Sequence, residues 1–174
     1  GNRQQVAEDL GLSLLGVMLV GFCLSHFVLM LGLDPERPWT APFSVIALVW
    51  VFDAVAYLAG TAFGNRKIVP SISPGKTWEG TLCAGAITFV SAYLIHRVLG
   101  REWLNLGTAM ALAAITCLFA FLGDLSESVL KRELRIKDMG SLIPGHGGVM
   151  DRFDSMLMTA AVSYYFLRFL VFKL

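Results

Sequence analysis

Charged residues are scarce in this sequence. Only 16% of its 174 residues are Asp, Glu, Lys or Arg, whereas 56% are hydrophobic, and the mean hydropathy is +0.66. A soluble domain of this length usually carries more charge and fewer apolar residues. The formal net charge is only +1, so the strong positive charge typical of nucleic-acid-binding proteins is missing, and we expect no nucleic-acid partner. The composition favours a membrane protein.

Cysteine is also rare, and the three cysteines lie far apart. Cys23, Cys83 and Cys117 fall in separate apolar segments without metal-ligand spacing, so we interpret them as small packing residues and not as disulfide partners. We find no internal repeat and no linker. The first ten residues are polar and the apolar run after them is too long for the hydrophobic part of a signal peptide. These absences indicate one membrane domain.

Five apolar segments are long enough to cross a bilayer. A helix of about 20 apolar residues spans a hydrocarbon core of ~30 Å. The predicted spans are residues 10–33, 42–63, 81–99, 107 to about 125, and 155–172. We therefore predict an all-α polytopic membrane protein with about five transmembrane helices.

The loops between these spans divide the positive charge unevenly. Five crossings place the N-terminal lead and the loops 65–80 and 126–154 on one side, together with nine of the 14 Lys and Arg residues. Cytoplasmic loops of membrane proteins carry an excess of Lys and Arg. We therefore expect this side, and with it the candidate active site, to face the cytoplasm.

One polar stretch, residues 123–155, stands out against the apolar background. Its charged and histidine residues include Asp124, Glu127, Lys131, Arg132, Lys137, Asp138, His146, Asp151, Arg152 and Asp154. Residues 124, 127, 128 and 131 follow one another at the spacing of one helical face, and residues 151, 154 and 155 do the same. The pattern predicts two polar helical faces, one before and one after a glycine-rich turn.

The chemistry of this stretch suits a metal–phosphate site. Carboxylates from two segments can share a hard cation such as Mg²⁺, and neighbouring Lys and Arg side chains can neutralise phosphate oxygens. Gly147 and Gly148, beside His146, allow the backbone to approach a ligand closely. The alternative is an ordinary solvated loop of mixed charge.

Two residues outside this stretch are further candidates. Asp53 lies in the middle of the second predicted span, where a carboxylate is costly and indicates function; the alternative is a buried hydrogen-bond partner. Lys76 follows Gly75, but residue Pro70 stands where a phosphate-binding P-loop needs its first glycine. Lys76 can still contact a phosphate or a lipid headgroup, or it is one of the ordinary cytoplasmic charges.

A long motif links the chain to a known family. Residues 128–154, SVLKRELRIKDMGSLIPGHGGVMDRFD, closely resemble the signature of the phosphatidate cytidylyltransferases, the CDP-diacylglycerol synthases, without a departure. The resemblance extends upstream to Asp53, Tyr57 and Gly60, and to the run SISPGKTWEG at residues 71–80. It covers roughly the last two-thirds of the chain.

The resemblance implies an enzyme that converts CTP and phosphatidate to CDP-diacylglycerol and diphosphate, with Mg²⁺ as cofactor and a second cation left open. The implied catalytic residues are Lys131, Asp124 and Asp151. The implied substrate-binding residues are Lys76, Arg132, Lys137, His146, Gly147, Gly148, Arg152 and Ser73. The implied metal ligands are Asp124, Asp151 and Asp154, with Glu127 and Asp53 as further candidates.

Several alternatives stay open from the sequence alone. A related CTP-dependent enzyme acting on another lipid or on a polyprenol phosphate would share this chemistry, and a membrane transporter would also keep a carboxylate within a span. Longer family members carry further helices before the matched region, so we expect residues 1–174 to be a single catalytic region without them. We expect it in the bacterial inner membrane, among membrane lipids; a homodimer and the acyl-chain preference stay open.

Overall fold

The computed structural model describes residues 3–99, 103–136, 139 and 150–174. Its α-helices are α1 (Arg3–Gly16), α2 (Leu24–Met30), α3 (Thr40–Phe63), α4 (Trp78–Leu99), α5 (Leu106–Glu133) and α6 (Met150–Phe166). A π-helical segment, Val17–Cys23, joins α1 to α2, and a second, Leu167–Val171, follows α6. Two short strands, β1 (Lys67–Val69) and β2 (Ser73–Thr77), lie between α3 and α4.

Four helical stretches of the described part are long and apolar enough to cross a membrane. They are Ser13–Met30, Thr40–Phe63, Trp78–Leu99 and Leu106–Glu133. The predicted all-α polytopic class is thus confirmed. The fifth predicted span, residues 155–172, is helical in α6 and its π-helical extension, but α6 itself has only 17 residues and opens with a charged turn.

The helix that carries the polar stretch is longer than its apolar part. The side chain of Asn105 caps the start of α5 by accepting a hydrogen bond from the backbone N–H of Thr108 at 2.9 Å. The predicted span ended near residue 125, whereas α5 continues to Glu133. Leu, Glu, Lys and Arg all have high helix propensity, so the helix continues beyond the end of its apolar segment.

The segment between α3 and α4 is a hairpin and not the plain loop that we predicted. Its strands pair antiparallel, with Lys67 opposite Thr77 and Val69 opposite Ser73. At its base, the backbone N–H of Trp78 donates to the carbonyl of Arg66 at 2.9 Å. The strands are short and lack the alternating hydrophobic pattern that predicts strands, so sequence reasoning missed them.

Small residues bring the helices close together where they cross. A Cβ added at Gly80 on α4 would lie 2.6 Å from the backbone oxygen of Ala56 on α3. A Cβ added at Gly123 on α5 would lie 2.6 Å from the backbone oxygen of Asp154 on α6. Such contacts leave no space for a side chain, so glycine sets the distance between each pair of helices. The three cysteines are unpaired, as predicted.

The bundle has two distinct ends. At one end, the ion pair between Lys76 and Asp124 brings the hairpin against the polar part of α5. At the other end, Nη1 of Arg37 donates to the carbonyl of Leu99 at 3.4 Å, and Nδ1 of His96 lies 2.6 Å from the carbonyl oxygen of Leu104. The loops predicted to share a side therefore meet at the same end of the bundle.

Candidate active site

A cavity of about 450 Å³ lies at the hairpin end of the bundle. Its walls come from α3, β2, α4, α5 and α6. Six of the predicted site residues line it: Asp53, Ser73, Lys76, Asp124, Asp151 and Asp154. The structure thus brings four carboxylates and a lysine from distant parts of the sequence to one space.

Lys76 joins the hairpin to α5. Its ammonium forms an ion pair with Asp124, and its Nζ also lies 4.8 Å from the centre of the Phe121 ring. The Lys76 side chain is only 13% exposed, whereas Asp124 is 37% exposed. The lysine is therefore held inside the wall of the cavity, with its charge directed at an aspartate that solvent or a ligand can reach.

Lys131 lies between two buried carboxylates, of which only one lines the cavity. Its Nζ is 2.7 Å from Oδ1 of Asp151 and 3.4 Å from Oε1 of Glu127. Asp151 also accepts a hydrogen bond from the backbone N–H of Met139, at 2.9 Å to Oδ2. Glu127 is buried and lies behind the cavity, outside its lining, so Lys131 connects it to the aspartate in the wall.

Ser155 is a site residue to which sequence reasoning gave no role. Its hydroxyl donates to Oδ1 of Asp53 at 3.0 Å, across from α6 to α3, and its backbone N–H donates to Oδ1 of Asp154 at 2.6 Å. The helical spacing of residues 151, 154 and 155 placed it on the polar face. The partner on α3 could not be seen in the sequence, because it lies 102 residues away.

The carboxylates are close enough to influence one another. Burial raises the pKa of the Asp154 carboxyl above its ordinary value, and the negative charge of Asp124 adds to this rise. Two carboxylates that repel each other are stabilised as anions when a cation binds near them. The electrostatics of the cavity therefore favour cation binding.

The remaining predicted site residues do not line the cavity or lie outside the part of the chain that the structure describes. Arg132 is absent from the lining of the cavity, and its Nε donates to the backbone carbonyl of Ile72 in the hairpin at 3.0 Å. The predictions for Lys137, His146, Gly147 and Gly148 fall outside the described residues, as does the side chain of Arg152.

The donor set suits Mg²⁺ bound together with a phosphate ligand. Within residues 3–99, 103–136, 139 and 150–174, no three His, Cys, Asp or Glu side chains are placed to hold one metal ion. Mg²⁺ often binds through only one or two carboxylates, and takes its other ligands from water and substrate phosphates. Four carboxylates around one cavity fit that mode, so magnesium binding stays a prediction consistent with the residues present.

These features define a class of protein: a polytopic helical membrane protein with a charged cavity suited to phosphate chemistry at one end. Residues 1–170 match the sequence profile of the Cytidylyltransferase family. The chain belongs to this family, and the resemblance noted from the sequence is confirmed.

Three relatives, each named phosphatidate cytidylyltransferase, show the extent of the similarity. The protein from Haemophilus influenzae is 42% identical over 137 residues, which cover 76% of this chain and 46% of the relative. The protein from Pseudomonas aeruginosa is 44% identical over 122 residues, 70% of this chain and 44% of the relative. The protein from Bacillus subtilis is 33% identical over 160 residues, 92% of this chain and 59% of the relative. The chain spans about half the length of the curated relatives it matches.

Proposed function

We propose that this chain carries the active site of a phosphatidate cytidylyltransferase, which converts CTP and phosphatidate to CDP-diacylglycerol and diphosphate. The observation that carries the proposal is the cavity in which Asp53, Asp124, Asp151 and Asp154 surround Lys76 at the polar end of a membrane bundle. Membership of the cytidylyltransferase family supports CTP as the nucleotide substrate, and the apolar helices support a lipid as the second substrate.

The reaction is a displacement at the α-phosphorus of CTP. An oxygen of the phosphatidate phosphate forms a new bond to this phosphorus. The bond from the α-phosphorus to the oxygen that bridges it to the β-phosphorus breaks, and its electron pair leaves with diphosphate. A phosphate monoester is already ionised at neutral pH, so the mechanism requires no side chain to remove a proton from the nucleophile.

Charge is the main obstacle to this reaction, because both reactants are anions. Preorganised cations in a partly buried site offset the repulsion and stabilise the departing diphosphate. Lys76 lines the cavity and is held by Asp124, so its ammonium can donate to phosphate oxygens that enter. Lys131 is not in the lining, and it contributes positive charge from behind Asp151, with which it pairs. Ser73 lines the same wall and supplies a hydroxyl for a substrate oxygen.

The carboxylates are the proposed magnesium ligands. Asp124 and Asp151 would hold the ion, with Asp154, Glu127 and Asp53 as further candidates, and a second cation stays open. When bound, Mg²⁺ supplies positive charge to the phosphates of CTP and to the leaving group. Ser155 keeps Asp53 and Asp154 oriented toward the cavity through its two hydrogen bonds.

We place the site at the cytoplasmic face of the bacterial inner membrane. The hairpin and the end of α5 meet at one end of the bundle, and this end belongs to the side with nine of the 14 Lys and Arg residues. Nucleoside triphosphates are cytoplasmic, so the orientation agrees with the proposed substrate. Residues 1–174 form a single membrane-embedded catalytic region in this proposal.

The proposal is tested with purified protein in detergent or lipid, supplied with labelled CTP, phosphatidate and Mg²⁺. We expect CDP-diacylglycerol and diphosphate in equal amounts, and much less product when ATP replaces CTP. Asp124→Asn serves as the matched inactive control.

Other outcomes of this experiment distinguish the alternatives. Turnover with a polyprenol phosphate or another lipid phosphate, but not with phosphatidate, would indicate the related CTP-dependent enzymes. A folded sample that makes no CDP-lipid from any of these acceptors would contradict the enzyme assignment and return the transporter alternative to consideration.

A further inference from the structure

The tip of the hairpin is attached to the end of α5 by one side chain. Nε of Arg132 donates to the backbone carbonyl of Ile72 at 3.0 Å, although the two residues are 60 positions apart. Ile72 lies in the turn between β1 and β2, and its own N–H donates to the carbonyl of Val69 at 3.2 Å. The guanidinium therefore holds the turn and not one of the strands.

Other contacts hold the hairpin in its middle and at its base. At the base, the side chain of Glu79 accepts hydrogen bonds from the backbone N–H groups of Asn65 and Arg66, each at 3.2 Å. In the middle, Lys76 pairs with Asp124. Asp124 and Arg132 are eight residues apart, about 12 Å along a helix, so the hairpin follows the last two turns of α5.

The strand between these attachments forms part of the cavity. Ser73, Gly75, Lys76 and Thr77, all from β2, line its wall, whereas Arg132 does not. An isolated two-stranded hairpin is marginally stable in water. Thr77 at the end of β2 is buried against α3, whereas Ser73 at its start adjoins the turn that Arg132 holds. The position of β2, and with it that of the Lys76 ammonium, therefore depends in part on how the tip is held.

We propose that Arg132 is a positioning residue that fixes the hairpin tip to α5 and acts on the reaction through Lys76. This inference rests on the proposed function and replaces the direct phosphate contact expected from the sequence. The charge of Arg132 is directed at a backbone carbonyl, and its effect on substrate follows from keeping β2 in the cavity wall.

The first experiment measures the anchor without using activity. Amide hydrogen exchange of the full chain is compared between the wild type and Arg132→Gln in the same detergent. We expect exchange in residues 67–77 to become at least tenfold faster in the variant, while α3 and α4 keep their protection. Arg135→Gln, which changes an exposed arginine in the turn after α5, serves as the matched control and leaves residues 67–77 unchanged.

The outcome of this measurement is decisive in either direction. Unchanged exchange in residues 67–77 of Arg132→Gln would overturn the proposal. Because no substrate is needed, this result does not depend on whether the chain transfers a cytidylyl group. Arg132→Lys, which keeps the charge but lacks the planar donor, should give an intermediate exchange rate and provides a second variant if the first folds poorly.

The second experiment asks whether Arg132 acts through Lys76. Turnover is measured for Arg132→Gln, Lys76→Ala and the double variant. A positioning residue predicts that Arg132→Gln lowers kcat about tenfold in the wild type and less than twofold once Lys76 is removed. A full tenfold loss in both backgrounds would mean that Arg132 contributes independently, for example by contacting phosphate itself, and would overturn the proposal.

Discussion

At the scale of single residues, Lys131 connects a carboxylate of the cavity wall to a second carboxylate outside the lining. One of its partners, Asp151, lines the cavity, and the other, Glu127, is only 4% exposed and lies behind it. A buried carboxylate without a nearby cation is strongly destabilising. The lysine therefore stabilises the fold and also adds positive charge next to the cavity.

We predict that Lys131→Ala lowers both turnover and stability. Turnover should fall by about two orders of magnitude, because a preorganised cation is lost. The free energy of unfolding should fall by roughly 3–5 kcal/mol, because the buried carboxylates of Asp151 and Glu127 lose the cation that they share. Steady-state kinetics and thermal unfolding in detergent measure the two effects separately.

A second substitution separates these two roles of Lys131. Adding Glu127→Gln to Lys131→Ala removes one of the two carboxylates left without their cation, so we expect part of the stability to return while turnover stays low. Lys131→Arg should keep part of the activity, because it preserves the positive charge. It should not keep all of it, because a planar guanidinium replaces the compact ammonium. Wild-type kinetics in Lys131→Ala would contradict the catalytic assignment.

We further predict that Asp124→Asn and Asp151→Asn each abolish most activity and shift its dependence on Mg²⁺ to higher concentrations. Both side chains line one cavity, and an amide is a weaker magnesium ligand than a carboxylate. The double variant should be little worse than either single variant, because ligands of one ion act as a unit.

Titration of activity with Mg²⁺ checks this prediction, with folding monitored by the unfolding temperature. Asp154→Asn offers a comparison with a carboxylate from the same helical face. If Asp151→Asn kept the wild-type rate and the same Mg²⁺ dependence, Asp151 would be only the ion-pair partner of Lys131.

The sequence predicted six of the residues that line this cavity, but not the contacts between distant segments. Helical spacing placed Asp124 and Lys131 on one face, and Asp151 and Asp154 on another, because such patterns depend only on the geometry of one helix. The contact of Arg132 with a backbone carbonyl has no local signature. It depends on a hairpin that reaches α5 from 60 residues away, and only the assembled fold shows it.

The crossing of α5 and α6 decides the geometry of the site at the scale of helices. Gly123 precedes Asp124 on α5, and it contacts the backbone of Asp154 on α6. Any displacement of one helix from the other changes the distances among the carboxylates of the cavity. The sequence predicted both helices but gave no sign of this contact, since small residues at a crossing are recognised only once the crossing is known.

We predict that Gly123→Ala reduces turnover at least tenfold and destabilises the protein by roughly 1–3 kcal/mol, because the new methyl group forces α5 and α6 apart. Kinetics and thermal unfolding measure both effects. Gly85→Ala is the matched control: a Cβ at Gly85 on α4 has no atom within 4 Å, so this variant should be neutral or stabilised by up to about 1 kcal/mol.

Equal behaviour of the two glycine variants would contradict the role of the crossing. A stable Gly123→Ala protein with normal turnover would mean that the bundle adjusts without moving the carboxylates.

At the scale of the whole molecule, the two ends of the bundle should face opposite sides of the membrane. The hairpin belongs to one end, and the start of α5 at Leu106 belongs to the other. We predict that a cysteine at Asn65 reacts with a membrane-impermeant reagent only from the cytoplasmic side, and a cysteine at Asn105 only from the opposite side. The three native cysteines are replaced by alanine beforehand.

Labelling of both positions from the same face would show that α4 does not cross the membrane. Reversed labelling, with Asn105 reacting from the cytoplasm, would keep the fold but contradict the orientation inferred from the positive charges. Cysteine at Asp34, in the turn after α2, should behave like the one at Asn105, since the neighbouring Arg37 contacts Leu99 at that end.

The distribution of the cavity wall along the chain has a consequence for biosynthesis. The wall begins with Trp50 on α3 and ends with Ser155 on α6, so it is assembled from segments that are synthesised far apart in time. A ribosome that has delivered α3 to α5 into the membrane has inserted Asp53 without Ser155, and Lys131 without Asp151. The nascent protein therefore holds ionisable groups that lack these partners until α6 emerges, so the cavity is complete only after α6 has been inserted.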